Sequence, residues 1–556
     1  MNTIKKFFLF TILGASILSL NSCKDDFEKI NSDIKTIYDF EPERLLYNTQ
    51  VFSGANGWEW YYDYYYAQQR WLQYGVRTVG NTNVAFTYFN PNVFKQRYDN
   101  SFMTTGSYMR HMEYLASQLA DADRYKHAVE AARVTLIYQG IFTSDAHGSL
   151  AYTQGWSLRS GGDITEPEFE TQETLYQIWD TELKNAINVF KTATNQVSIA
   201  DYDMAYSGDI SKWIKAANAL RLRLALRYMK RDMNKAKAIA TEVLASSEIP
   251  SSTDDGLIFW FSGVETNHGD FESIQDLIRA SVTFMGYLKK YDDPRKRMFF
   301  RENNLTPENV AAWNAANPND NLSEYERWEG GTANFDNLTD TKWTKIHMSR
   351  TLNGTTDMRP INIPQTRMFS GYYDGGSGGS WMPKLTHADF CFMAAEFALE
   401  GVASSKTAEQ WYTEGVRSSL ELWNKAGEFC KIHNYVPMTG EEITTFLNKE
   451  GIKWNAAIGK QQIYAQTYVE HFKNVGESHA LYRRTGYPNP TSPIIANEAC
   501  YVNGSLQQVP RRTRFSYPLE GTTNYENQVK RIDEMKKDPD FGDITNEFGR
   551  IWWDKK

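Results

Sequence analysis

The sequence predicts a mostly α-helical protein, in which a tetratricopeptide-type helical-repeat scaffold packs against an irregular, loop-rich half. The first observation is that apolar residues recur at spacings of three and four in several stretches, with Ala and Gly where helices pack closely. The second is a long section at 250–385 that lacks this pattern and is rich in Asn, Gly, Asp, Thr and Pro. The third is the length of 556 residues, which exceeds the usual size of one hydrophobic core and favours several packed parts.

Helical spacing is strongest in stretches that mostly occur as neighbouring pairs. Their separation does not give a clean 34-residue repeat, so we expect tetratricopeptide-like hairpins and not a regular array. We place the scaffold mainly within 105–245 and 388–482, and the irregular part mainly within 250–385 and 483–556. The individual helices are predicted at 125–144, 175–190, 213–228, 234–245, 389–400, 408–423 and 461–481.

Residues 1–22 have the features of a secretory signal peptide. Lys5 and Lys6 precede an apolar run at 7–20, which is shorter than the ~20 apolar residues that span a bilayer. The run ends at a small-residue cleavage site followed directly by Cys23, which resembles a bacterial lipobox. The resemblance implies lipidation of Cys23, with residues 23–40 as a flexible tether, because two or more acyl chains hold a protein stably at a membrane. The alternative is a plain secreted protein.

Charge balance and cysteine count narrow the classes of function. The chain has 60 basic and 68 acidic residues, and no basic run indicates a nucleic-acid partner. If Cys23 is acylated, Cys391, Cys430 and Cys500 remain, so at most one disulfide can form within the chain, and its pairing stays open. The lack of a Cys-x-x-Cys spacing argues against a zinc site. We predict no metal ligand and no cofactor.

Four motifs between residues 208 and 518 resemble those of a known family. They are Gly208-Asp209-Ile210-Ser211-Lys212-Trp213 running into an arginine-rich helix up to Arg227, Asp293-Pro294-Arg295, the helix from Ala388 to Gly401, and Arg483-Arg484 followed by Pro510-Arg511-Arg512 and Tyr517-Pro518. Together they are similar to the motifs of the SusD/RagB family of Bacteroidetes outer-membrane lipoproteins. The segment at 144–153 is a looser version of the family pattern, and Lys296 stands where leucine is usual, which indicates a divergent branch.

The resemblance implies that residues 41–556 form a SusD-like binding domain. It implies a lipid-anchored protein on the extracellular side of the cell outer membrane, and Lys24-Asp25-Asp26 resembles the export signal for that location. It also implies a SusC-like TonB-dependent transporter barrel as partner, over which this chain sits as a lid and delivers an oligosaccharide for nutrient uptake. The family motifs are structural, so Arg483 and Arg484 are expected to pin helices to loops.

Aromatic residues supply the candidate ligand site. The chain has 16 Trp, 33 Tyr and 30 Phe, and nine aromatic residues fall within 58–74. Tyr and Trp offer a flat apolar face with a polar edge, which complements the C–H face and hydroxyl belt of a sugar ring. A stripe of rings at helical spacing also suits a core, so we expect about half of them to be structural. The predicted ligand-binding residues in this stretch are Trp58, Trp60, Tyr62, Tyr65, Trp71 and Tyr74.

A second candidate site flanks the glycine-rich segment at 375–379. Tyr372, Tyr373 and Trp381 lie beside it, and glycines next to aromatic rings suggest a surface loop able to close on a ligand. The alternative is a loop without a role in binding.

The sequence argues against an enzyme, and no catalytic residue is predicted. Residues 375–379 formally match Gly-x-Ser-x-Gly, but the apolar strand that precedes a nucleophile elbow is missing and Pro383 follows closely. No His-Glu-x-x-His occurs. Three alternatives to glycan capture stay open: capture of peptides, a surface glycoside hydrolase, and a scaffold whose aromatic residues grip a partner protein.

Overall fold

The computed structural model describes residues 41–53, 59–77, 93–261, 278–370 and 379–556. Within these ranges the chain is mostly helical, which confirms the predicted fold class. The predicted signal peptide, the tether with Cys23, and the ring residues Trp58, Tyr372 and Tyr373 lie outside the described residues. No helix in the described ranges is long and apolar enough to cross a membrane.

The N-terminal part of the scaffold is a series of helices, most of which pack against a neighbour in the chain. Four of these helices begin and end within three residues of the stretches predicted from apolar spacing, which are 125–144, 175–190, 213–228 and 234–245. Two of them, at 172 and 210, begin three residues earlier than predicted. Capping explains this, because the Thr171 and Asp209 side chains accept hydrogen bonds from N–H groups in the first helical turn. The helices are α1 (Leu45–Phe52), α2 (Trp60–Gln68, π-helical, extended by Gln69–Trp71), α3 (Met103–Ser117), α4 (Lys126–His147), α5 (Gln172–Thr192), α6 (Ile210–Tyr228) and α7 (Met233–Leu244).

The C-terminal part of the scaffold departs from prediction at one place. The stretch predicted as one helix at 461–481 is two helices, broken between Glu470 and Val475. The break turns polar side chains inward: His471 contacts Asp389 at 2.6 Å, and Asn474 donates to the Lys384 carbonyl at 3.2 Å. The helices are α12 (His387–Leu399), α13 (Ala408–Phe429), α14 (Gly440–Leu447), α15 (Gly459–Glu470) and α16 (Val475–Thr485).

The loop-rich half consists of short helices and two-stranded sheets. Strand β2 (Leu257–Phe261) pairs antiparallel with β6 (Ser380–Leu385). Because β6 is followed directly by α12, it connects the loop-rich section to the C-terminal part of the scaffold. The short helices are α8 (Val282–Lys290), α9 (Lys296–Phe299), α10 (Pro307–Ala316), α11 (Thr341–His347) and the later α17 (Tyr525–Lys536). The other strands are β1 (Gly75–Val76), β3 (Arg279–Ala280), β4 (Thr351–Leu352), β5 (Thr356–Asp357), β7 (Tyr501–Val502) and β8 (Ser505–Leu506).

Buried arginines fasten the two halves, as the motif residues predicted. Arg484 lies in α16 and donates to the Glu396 carboxylate of α12 at 2.8 Å. Arg483 donates to the Arg511 carbonyl at 2.8 Å, which ties α16 to the irregular C-terminal segment. Arginine suits these places because its planar fork makes several directed bonds from one side chain. The prediction that these arginines pin helices to loops is confirmed for Arg483, whereas Arg484 joins two helices of the scaffold.

Candidate ligand-binding site

Most of the ring residues predicted to bind ligand belong to the core. Trp60, Tyr65, Trp71 and Tyr74 are each 0–2% exposed. Helix α2 packs against α16, and on another side its Tyr64 ring lies 6.1 Å from the Phe142 ring of α4. Tyr74, just after α2, stacks on Tyr468 with ring centroids 4.1 Å apart. Tyr64 is also buried, whereas Tyr61, Tyr62 and Tyr66 are half-buried, which agrees with the expectation that about half of the rings in this stretch are structural.

Two other predicted residues occupy different environments. Trp381, on β6, is buried between Trp260 and Trp423, at centroid distances of 5.5 and 4.9 Å, so it too is a core residue. Tyr62 is half-buried and packs against a smaller apolar cluster. Periodicity could not separate these cases, because exposure depends on the element that covers each ring.

Concave surfaces lie instead on both sides of residues 324–330, which we call the ridge. On one side, cavities of about 530 and 360 Å³ share Arg297 and Trp328, and together they form what we call the Trp328 groove. On the other side, a cavity of about 470 Å³ forms the Trp343 groove, with Tyr325 and Trp343 in its lining. Each volume lies in the range typical of small-molecule sites.

Two buried asparagines hold the ridge in place. The Asn303 amide donates to the Glu326 and Pro360 carbonyls at 2.8 and 2.6 Å. The Asn362 amide donates to the Arg327 carbonyl at 3.0 Å, and its oxygen accepts from the Glu329 N–H at 2.5 Å. Because these bonds grip the backbone on both sides of Trp328, the ring is held without regular secondary structure.

The Trp328 groove combines one aromatic ring with charges that are mostly paired. Trp328 is half-buried, and the Lys296 ammonium lies 5.2 Å from its ring centroid. Three carboxylates at the groove are bonded to arginine: Asp357 to Arg359 at 2.8 Å, Glu302 to Arg327 at 2.9 Å, and Glu442 to Arg297 at 3.0 Å. Paired charges leave a polar surface that suits a neutral ligand rich in hydroxyl groups.

The ionisation of Glu442 weighs against acid catalysis in this groove. Burial disfavours its charged form, but the Thr439 backbone N–H and Arg297 outweigh burial and hold the pKa of Glu442 below its usual range. A glycoside hydrolase needs a carboxylic acid whose pKa is raised, so that it can protonate the leaving oxygen. Glu442 is ionised at neutral pH and does not meet that need.

The Trp343 groove is closed on one side by α11. Asp340 caps α11, because its side chain accepts from the Lys342 N–H at 2.8 Å. The Lys342 ammonium lies 4.5 Å from the Trp343 ring centroid. Burial, together with the adjacent Glu324 carboxylate, raises the pKa of Tyr325 to about 12, so its hydroxyl stays protonated and can donate a hydrogen bond.

Sequence reasoning missed Tyr325, Trp328 and Trp343. All three lie in the section predicted to be irregular. The sequence around them has no periodicity that could distinguish a ligand-binding ring from a core ring. For Tyr325 and Trp328, the available signal is the run Glu324-Tyr325-Glu326-Arg327-Trp328-Glu329, in which aromatic rings alternate with charged residues in a region without helical spacing. Such rings have no apolar neighbours in sequence and are partly exposed.

The chain resembles known proteins in both sequence and fold. Residues 39–518 match the model of a SusD-like family described as "Starch-binding associating with outer membrane". No match was found among curated protein sequences. Similar solved structures include a chitin-binding protein (17% identity, TM-score 0.68, covering 93% of this chain and 100% of that one).

Two further structures agree with this match. A SusD homologue from Bacteroides fragilis has 19% identity and a TM-score of 0.66, and the match covers 92% of this chain and 100% of that one. A chitin-binding SusD homologue from Flavobacterium johnsoniae has 20% identity and a TM-score of 0.63, with coverage of 92% and 97%. At these identities the structures establish a shared fold, and the family model covers most of the sequence. The chain therefore belongs to the SusD-like family of starch-binding proteins that associate with the outer membrane.

Proposed function

We propose that this protein captures an oligosaccharide at the outer membrane and binds it in the Trp328 groove. The observation that carries the proposal is a half-buried tryptophan on a rigid ridge, set in an open groove whose charges are paired. A sugar ring stacks its C–H face on such an indole ring, and its hydroxyl groups bond to the surrounding polar side chains. The family description and the two chitin-binding structures support a glycan as the ligand class.

The protein acts as a binder and not as an enzyme in this proposal. It is anchored through Cys23, faces the extracellular side, and passes its ligand to a SusC-like TonB-dependent transporter barrel as a lid. The predicted lipobox and the family's association with the outer membrane support the location. Trp58, Tyr372 and Tyr373 remain predicted ligand contacts.

The test measures binding of the purified protein to a panel of starch, chitin oligosaccharides, other neutral polysaccharides and peptide mixtures. We expect saturable binding to a glycan, and no release of reducing sugar. In the Trp328→Ala variant we expect affinity to fall roughly tenfold, since a lost stacking contact of about 1.4 kcal/mol corresponds to that factor.

Trp313→Ala is the matched control. Trp313 is a half-buried tryptophan on α10, and it lines neither groove. If glycan binding persists in Trp328→Ala but is lost in Trp343→Ala, the ligand site is the Trp343 groove. Binding only to peptides would overturn the glycan proposal, and release of reducing sugar would overturn the assignment as a binder.

A further inference from the structure

A cluster of three different potential metal ligands lies in the helical scaffold, away from both grooves. His387 and Cys391 are one turn apart on α12, and Glu414 faces them from α13. One ligand atom from each of these side chains lies within 4.8 Å of the other two. Within the part of the chain that the structure describes, this is the group of His, Cys and carboxylate side chains that meets that distance. Cys391, Cys430 and Cys500 are buried and form no disulfide with one another, so the disulfide that the cysteine count left open does not form among them.

The distances in the cluster suit tetrahedral coordination. The Cys391 sulfur and the His387 Nε2 atom are 3.4 Å apart, and Nε2 lies 3.4 Å from Glu414 Oε1. Zinc bonds of ~2.0–2.3 Å at tetrahedral angles place neighbouring ligand atoms about 3.5 Å apart. Two of the three separations therefore match those around a zinc-sized ion, and the third, between Cys391 and Glu414, is within 4.8 Å.

Neighbouring residues orient the potential ligands and bring them together. Ser418 Oγ lies 3.1 Å from His387 Nδ1, and an Nδ1–H donated to that hydroxyl leaves the Nε2 lone pair facing the cluster. Gly415 lets the helices approach closely, because a Cβ there would lie 3.0 Å from the Cys391 Cβ and 2.7 Å from the Phe392 ring. The close approach is what brings Glu414 beside Cys391.

The Glu414 carboxylate reaches the cluster from the solvent side of α13. Lys406 pairs with the second carboxylate oxygen, Oε2, and Oε1 points toward His387. The Glu414 side chain is 28% exposed, which gives an ion a path into an otherwise buried cluster.

We propose that His387 Nε2, Cys391 Sγ and Glu414 Oε1 bind one divalent transition-metal ion of the zinc type and so clamp α12 to α13. The thiol loses its proton to solvent as the metal–sulfur bond forms, and a water molecule completes the four ligands. A thiolate and an imidazole select zinc or cobalt over magnesium or calcium. The sequence argument against zinc considered only Cys-x-x-Cys, whereas this set needs a carboxylate from a second helix.

Without a metal, the same geometry has another explanation. The Cys391 thiol would donate to His387 Nε2, or a protonated His387 would pair with Glu414. Neither arrangement places a thiolate on a metal ion. Direct observation of a metal–sulfur bond therefore separates the two explanations.

The test titrates the purified protein with Co²⁺ and follows the near-ultraviolet charge-transfer absorption that a cobalt–thiolate bond produces. We expect one equivalent to bind, Zn²⁺ to displace it, and Mg²⁺ and Ca²⁺ to have no effect. Cys391→Ser should abolish the absorption, and Cys430→Ser, which removes another buried thiol, should keep it. Glu414→Gln changes a partly exposed residue, so the protein should stay folded and bind roughly tenfold more weakly or worse.

Thermal unfolding gives a second readout. At a Zn²⁺ concentration about 100 times Kd, the folding equilibrium constant should rise about 100-fold in the wild-type protein, and the rise should be smaller in Glu414→Gln. The proposal fails if saturating Co²⁺ gives no thiolate absorption in the wild-type protein. It also fails if Glu414→Gln binds as tightly as the wild-type protein, or if Cys430→Ser loses the absorption.

Discussion

The helical scaffold and the grooves of the loop-rich half place tryptophan differently. In the scaffold, Trp179, Trp213 and Trp423 are completely buried between helices. In the loop-rich half, Trp328 and Trp343 are half-buried and line open grooves. A helix packed on both sides covers its apolar residues with neighbouring helices, whereas a loop held by backbone hydrogen bonds covers one side of a ring and leaves the other open.

Ion pairs at the centre of the scaffold are more deeply buried than those beside the ridge. Arg227 contacts Asp145 and Glu477 at 2.8 Å each, with all three side chains buried. The pair of Arg327 with Glu302 beside the ridge is exposed, although Arg295 and Asp293 form a buried pair elsewhere in the loop-rich half. Buried pairs are costly to break, and exposed pairs contribute little to stability. The scaffold should therefore carry stability and the loop-rich half should carry binding.

The largest effect is expected from Arg227→Ala in α6. The change leaves the Asp145 and Glu477 carboxylates buried without their cation, which should lower the free energy of unfolding by about 3–5 kcal/mol. Chemical denaturation measures it. Glu302→Ala, which removes the exposed ion pair with Arg327 in the loop-rich half, is the control and should cost less than about 1 kcal/mol. Equal losses in the two variants would contradict the proposed division between the regions.

A smaller effect is expected from glycine packing. At Gly140 in α4, an added Cβ would lie 2.8 Å from the Trp179 ring, so Gly140→Ala should destabilise the protein by about 1–3 kcal/mol. At Gly286 in α8, an added Cβ meets no atom within 4 Å, so Gly286→Ala should stabilise the helix by up to about 1 kcal/mol. Thermal unfolding of both variants measures the contrast, and a stabilising Gly140→Ala would show that α4 and α5 pack less tightly than described.

A pH-dependent effect is expected at Asp63 in α2. Burial raises its pKa to about 7, because it outweighs the attraction of Arg97. The folded state then holds a proton that the unfolded state has lost, so this contribution to stability is present near pH 4 and disappears as the pH rises through about 7. Relative to Asp63→Asn, the free energy of unfolding of the wild-type protein should fall over that interval, by at most about 1.4 kcal/mol per pH unit. Parallel pH profiles for the two proteins would rule out this titration.

The smallest effect on stability is expected at the site itself. Trp328→Ala removes a half-buried ring from a ridge that Asn303 and Asn362 hold through backbone contacts, so the free energy of unfolding should change by less than about 1 kcal/mol while ligand affinity falls. Trp179→Ala should do the reverse and cost about 3–5 kcal/mol. If Trp328→Ala also unfolded the protein, the ridge would be part of the core.

Sequence patterns predicted the helices well and the site poorly. The stretch at 213–228 was predicted from apolar spacing, and α6 covers it because helical periodicity is a local property. The stretch at 461–481 was predicted as one helix, but inward contacts of His471 and Asn474 with distant residues break it. Trp71 and Trp381 were predicted to bind ligand, and long-range packing on His479 and Trp423 buries them.

The sequence by itself determined the helical class, the structural role of the arginine motifs and the family. It could do so because apolar spacing, capping residues and short motifs act over one or two helical turns. Only the tertiary structure decided which aromatic rings face an open groove and which acids are paired. It also decided that a carboxylate from α13 stands beside His387 and Cys391. Exposure and proximity depend on residues far apart in the chain, and no local pattern contains that information.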